Sequence, residues 1–141
     1  MINFLNQTAL VTGGLGNLGL EICKSFLENG IKNLIVIDIN NKNIDKLQKL
    51  SNSQLDQEVF FVKTDLTDLV RSRIALTDLL ASMQSLDILV NNAAFVGNSS
   101  LKNWNVDYLD QSLDSWNQAL QMNLTVPNEI IKICLDYLQK S

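Results

Sequence analysis

The chain has 141 residues, 46% hydrophobic and 18% charged, an ordinary globular composition with length for one sizeable core. A net charge of −4 leaves no basic field to gather a phosphate backbone, and no apolar run reaches the ~20 residues of a membrane span; this argues against nucleic-acid and membrane partners. With no histidine and two cysteines, a histidine-based triad is excluded and no metal site is expected.

The first seven residues lack the charged and apolar regions of a signal peptide. Thr8–Thr12 then reads as a buried strand running into glycines. Leu18, Ile22, Phe26 and Leu27 recur at helical spacing over Asn17–Asn29, and Gly30 is the stop. Asn33–Asp38 is a second buried strand. Asn40–Leu50 reads as a helix with Ile44, Leu47 and Leu50 on one side. Glu58–Lys63 is the third strand. Thr67–Gln84 follows as a helix capped by Thr67 or Thr64, and Leu86–Val90 is the fourth strand. A polar loop from Phe95 to Asn105 leads to a helical region over Ser112–Lys140. Its apolar positions are Leu120, Leu124, Ile131 and Leu135, and Pro127 should kink it. Cys23 and Cys134 fall in helical stretches among apolar neighbours, so reduced core cysteines of a cytoplasmic protein are expected.

Continuous apolar strands alternating with helices predict a parallel sheet covered on both faces. Right-handed crossovers make it an α/β, Rossmann-type doubly wound sheet of four βα units. No linker or repeat divides it, so residues 1–141 are read as a single domain.

The first strand and helix are joined by Thr12-Gly13-Gly14-Leu15-Gly16-Asn17-Leu18-Gly19. Gly14, Gly16 and Gly19 spell GxGxxG, and Gly13, Gly16 and Gly19 spell GxxGxxG. Glycines permit the tight turn and bring backbone N–H groups against a pyrophosphate at the helix N-terminus. The dinucleotide fingerprint adds an acid about 20 residues on, which accepts hydrogen bonds from the adenosine ribose. Asp38 stands there, at the end of the second strand. A 2′-phosphate would meet its carboxylate, and no Arg or Lys stands in the glycine turn, so NAD is favoured over NADP.

With these residues the sequence resembles the short-chain dehydrogenase/reductase family of NAD(P)-dependent Rossmann enzymes. Lys63-Thr64-Asp65-Leu66-Thr67-Asp68 is similar to the segment after the family's third strand. There the resemblance implies that Asp65 holds the adenine amino group, with the Leu66 backbone beside it. Asn91-Asn92-Ala93-Ala94 resembles the family's Asn-Asn-Ala-Gly, which steadies the sheet and lies along the cofactor ribose. Trp116 through Asn123-Leu124 resembles the helix that carries the catalytic Asn, here Asn123.

The glycine spacing is that of the family's extended, sugar-nucleotide-modifying branch, because Asn17 stands where TGxxxGxG has glycine. Asn91-Asn92-Ala93-Ala94 points to the single-domain branch. The resemblance also implies a Ser, a Tyr-x-x-x-Lys pair and a small alcohol or carbonyl substrate exchanging hydride with the cofactor. Of that catalytic set only Asn123 has a match, and the chain reads as truncated before the rest. Tyr137 and Lys140 are one residue too close, and about 20 Å along the helix from Asn123. Trp104 and Trp116 are expected to pack against the last helix. The missing strand would leave the fourth strand as an open apolar edge. The family's dimers use the last helix present here, which implies a homo-oligomer. The alternative reading is a non-catalytic Rossmann module that binds NAD or a protein partner.

Overall fold

The computed structural model describes residues 3–52, 55–96 and 106–141. Four parallel strands, β1 (Thr8–Thr12), β2 (Asn33–Asp38), β3 (Glu58–Lys63) and β4 (Ile88–Asn91), form one sheet in the order β3-β2-β1-β4. Between them run α1 (Asn17–Glu28), α2 (Ile44–Leu50) and α3 (Leu69–Leu80). After β4 come a short 3₁₀ turn at Tyr108–Asp110, α4 (Leu113–Leu120), a π-helical segment (Gln121–Thr125) and α5 (Val126–Leu138). The predicted doubly wound α/β architecture is the one observed.

Alternation along the central strands builds two cores. Ala9, Val11, Leu34 and Val36 face Leu20, Cys23, Phe26 and Leu27 of α1 and Ile44 and Leu47 of α2. Leu10, Ile35 and Ile37 face Leu76 and Leu80 of α3 and Val126, Ile130 and Cys134 of α5. Every residue of β1 is buried, whereas Ile88, Leu89 and Val90 of β4 are half-buried, because β4 is an edge paired to β1 alone in this sheet. Burial of the β1 and β2 side chains, about 1.5–3 kcal/mol each, fixes the register against slippage. No helix among the described residues is long and apolar enough to cross a membrane.

Several boundaries differ from the sequence expectations, each for a local reason. α2 starts at Ile44 rather than Asn40, since Asn40 caps a turn by accepting the Lys42 N–H (2.9 Å) and Asn43 takes a left-handed conformation at φ 70°. α3 is capped by Asp68, whose carboxylate accepts the Arg71 N–H at 3.1 Å, and not by Thr67 or Thr64. It ends at Leu80, where the Ser82 hydroxyl turns back to the Leu79 carbonyl. β4 begins at Ile88, because Leu86 is spent on α5, its N–H donating to the Tyr137 carbonyl.

The largest difference lies in the last helical region. A regular helix would direct the residue-127 N–H to the Asn123 carbonyl. Pro127 has no N–H, and its ring would strike that carbonyl. The chain instead widens by one residue, and the Val126 N–H reaches Gln121, five residues back. Leu120, Leu124, Ile131 and Leu135 point outward, 42–66% exposed, while Val126, Ile130 and Cys134 take the core. Trp116 is 57% exposed rather than packed on the last helix; Trp104 lies outside the described residues.

Candidate functional site

In a 3-2-1-4 sheet the β1-to-β2 and β3-to-β4 connections run in opposite directions, which opens a crevice at the carboxyl ends of the adjacent strands β1 and β4. A cavity of about 880 Å³ occupies this place. One wall is the glycine turn with the end of β2, the floor is the segment after β4, and the far wall is α4 with the π segment.

The glycine turn is held by two side chains, Thr12 and Asn92, that bond to main-chain groups. Parallel pairing sets Thr12 level with Asn91, so the chain after β4 passes under the Thr12 hydroxyl. That oxygen accepts the N–H groups of Asn92 and Ala93, each at 3.1 Å. Asn92 returns the contact, its amide donating to the carbonyls of Thr12 and Gly13 at 3.0 Å. Gly13 sits at φ +62°, where a Cβ would also lie 2.8 Å from Ala93 Cα. At Gly19 a Cβ would collide with the Gly13 carbonyl and come within 2.8 Å of both the Asn92 amide and Gly14 Cα. Gly14 is a packing glycine: a Cβ would meet Val36 at 2.8 Å and Cys23 at 3.1 Å. Gly16 has more room, its virtual Cβ lying 3.4 Å from the Gly13 carbonyl. No side chain caps α1 among the described residues, and its first turn (Gly16, Asn17, Leu18) is exposed at the cavity. The Gly16 N–H donates to the Gly13 carbonyl at 3.2 Å; the N–H groups that follow it point out of the helix start, where the helix dipole favours an anion.

Asp38 is 7% exposed and lines the cavity. Its Oδ2 accepts the Leu15 N–H at 3.0 Å, and Oδ1 accepts both the N–H (3.2 Å) and side-chain amide (3.0 Å) of Asn40. It therefore fastens the glycine turn to β2. Beneath them, burial and the Asp38 charge push the Cys23 thiol up to about 12, and burial pushes Cys134 up to about 11. Both are buried free thiols. After β3, Asp65 Oδ1 accepts the Thr67 N–H (2.9 Å) and hydroxyl (2.7 Å). Leu66 beside it is buried.

Asn123, within the π segment, exchanges two hydrogen bonds with the Phe95 backbone. Its Oδ1 accepts the Phe95 N–H at 2.7 Å and its amide donates to the Phe95 carbonyl at 3.0 Å. Of the residues singled out by sequence, Gly13, Gly16, Asn17, Leu18, Gly19, Asp38, Asp65, Leu66, Asn92, Ala93 and Ala94 line the one cavity. Thr12 and Gly14 lie behind it as supports, Asn91 ends β4, and Asn123 braces the floor through Phe95. Tyr137 and Lys140 are remote from it at the end of α5, where the Lys140 ammonium lies 4.8 Å from the Tyr137 ring centroid. Sequence reasoning did not find Ile39, Asn40, Thr64, Thr67, Phe95, Val96, Gln118, Gln121 or Met122 in the lining. Pro127 was the available signal for the last two, since it forces the π segment in which they stand.

The sequence matches the family described as short chain dehydrogenase over residues 7–141. It is 30% identical over 118 residues to an acetoacetyl-CoA reductase of an Acinetobacter species, covering 84% of this chain and 45% of that protein. Among solved structures, a 3-oxoacyl-[acyl-carrier protein] reductase from Brucella melitensis in complex with NAD superposes with a TM-score of 0.74 at 23% identity. The match covers 94% of this chain and 49% of that one. A metagenomic short-chain oxidoreductase in complex with NADP superposes with a TM-score of 0.77 at 18% identity, covering 96% and 57%. The structures show the shared fold. The chain spans about half the length of the curated relatives it matches.

Proposed function

The chain belongs to the short-chain dehydrogenase family of oxidoreductases, and from that premise we propose that its cavity holds a nicotinamide dinucleotide, NAD in preference to NADP. The observation that carries this reading is the glycine cradle. Gly13 takes a backbone conformation that disfavours side chains, Gly19 has no space for a Cβ, and both lie beside the open N-terminus of α1 at the sheet's switch point. A cavity of about 880 Å³ is of a size for such a ligand.

In this reading the exposed N–H groups of the α1 first turn receive the pyrophosphate. Asp38 accepts from the adenosine ribose, and its nearly buried charge repels a 2′-phosphate. Asp65 takes the adenine amino group, with Leu66 beside the ring. Asn92, Ala93 and Ala94 lie along the second ribose. When bound, the nicotinamide supplies the hydride acceptor or donor. Asn123, braced by Phe95, helps to hold a water that passes the proton. Hydride transfer to or from a small alcohol or carbonyl substrate is proposed for the whole protein, because the family's Ser and Tyr-x-x-x-Lys have no match among these 141 residues. The outward stripe of Leu124, Ile131 and Leu135 supports a homo-oligomer through the last helix. Two buried thiols fit a cytoplasmic, reducing setting, and residues 1–141 act as one domain.

Calorimetric titration with NAD and NADP tests the reading. Asp38→Ala should lower NAD affinity by about tenfold or more, the worth of a charge-assisted hydrogen bond, and raise the NADP-to-NAD affinity ratio. An unchanged ratio would remove Asp38 from the site.

A further inference from the structure

We propose that Gln121 is a positioning residue for adenine recognition, acting through Thr67 on Asp65. This rests on the dinucleotide reading of the cavity and adds to it a residue on the opposite wall.

A side chain of the π segment reaches across the cavity's far end. The Gln121 amide donates to the Thr67 carbonyl at 3.2 Å, joining residues 54 apart in sequence. Thr67 in turn donates both its N–H and its hydroxyl to Asp65 Oδ1, at 2.9 and 2.7 Å. The Ser72 hydroxyl donates to the Asp65 carbonyl at 3.1 Å and fixes the backbone on the other side. Gln121, Thr67 and Asp65 all line the cavity. The turn that presents the Asp65 carboxylate is thus anchored at one end by α3 and at the other by the π segment.

Without Gln121 the Thr67 carbonyl would have solvent as its partner, and the turn would lose this hydrogen bond to the far wall. A carboxylate oxygen must lie within about 3 Å of an amino group to accept from it. Small drift of the turn therefore weakens that contact selectively. The geometry of Gln121 itself depends on Pro127. Widening of the helix by one residue between Gln121 and Val126 sets the direction in which this amide leaves the helix.

Titration of the wild-type protein and Gln121→Met with NAD and with nicotinamide hypoxanthine dinucleotide, which lacks the adenine amino group, tests the proposal. Methionine keeps the length and removes the donor. Wild type should prefer NAD, and in the variant this preference should fall by about two- to tenfold, the size of one hydrogen bond. Affinity for the hypoxanthine dinucleotide should change less than about twofold. Equal weakening of both dinucleotides would make Gln121 a general brace of the wall and overturn the proposal, as would an unchanged ratio or a wild type without preference. If wild type binds neither dinucleotide, the dinucleotide reading falls and takes this one with it. If NAD binds and only the ratio stays fixed, this inference alone falls.

Discussion

At the glycine wall of the cavity, atoms are placed by part-buried hydrogen bonds and close backbone packing. The Thr12 hydroxyl accepts the Asn92 N–H, the Asn92 amide donates to the Thr12 and Gly13 carbonyls, and Gly19 is required because the Asn92 amide and the Gly13 carbonyl fill the space of a side chain. At the helical wall, atoms are placed by side-chain amides that reach from the π segment to two loops, Gln121 to Thr67 and Asn123 to Phe95. The first wall lies against the buried strand β1 and cannot shift without moving the core. The second is exposed, with one hydrogen bond from Gln121 and two at Asn123, all of which water can replace. Substitutions should therefore act sharply on one side and gradually on the other.

Gly19→Ala should give the largest effect. Its Cβ would strike backbone rather than a mobile side-chain end, and the strain should exceed the gain of about 1 kcal/mol from better helix propensity. We expect a net loss of about 3 kcal/mol in urea unfolding. Gly16→Ala is the matched control, since its Cβ has 3.4 Å of clearance; it should stay within about 0.5 kcal/mol of wild type. Equal losses in both variants would break the steric account of this wall.

An intermediate effect is expected at the other wall. Asn123→Ala removes the paired bonds to Phe95, and being exposed these should contribute about 1 kcal/mol in the same assay. A loss as large as that of Gly19→Ala would erase the difference between the walls.

The smallest effect concerns the outer side of α5. Glu129 accepts from Lys132 at 2.7 Å and Arg73 at 2.8 Å, linking α5 to α3. The Lys132 hydrogen bond, with the charges of Lys132 and Arg73, holds its carboxyl below the ordinary value of 4.5. A folded value lower than the unfolded one gives stability that is present above 4.5 and lost as pH falls through the folded value. The gap in urea midpoint between wild type and Glu129→Gln should therefore be small at neutral pH and close in acid. A gap that widened in acid would reverse this sign.

The parts of the molecule legible in the sequence share one property: their environment is fixed by neighbours along the chain. β1, β2 and β3 fall on the apolar runs: β1 and β2 are buried between two layers of helices, and β3, at the sheet edge, is half-buried over Val59–Val62. The glycine spacing likewise announced the cradle, because Gly13 and Gly19 are set by a short turn between a strand and a helix. The last helical region carries two apolar stripes. Periodicity cannot tell whether Leu124, Ile131 and Leu135 or Val126, Ile130 and Cys134 meet the sheet.

Sequence by itself determined the order of elements, the glycine turn and the presence of Asp38 at the end of β2, all of which follow from local spacing. Tertiary structure alone decided that Asp38 is already bound by Leu15 and Asn40, that Pro127 widens the helix rather than merely bending it, and that Gln121 and Asn123 reach loops 54 and 28 residues away. Hydrogen bonds of that span depend on where the folded sheet brings its carboxyl-end loops, and residue spacing along the chain does not encode that distance.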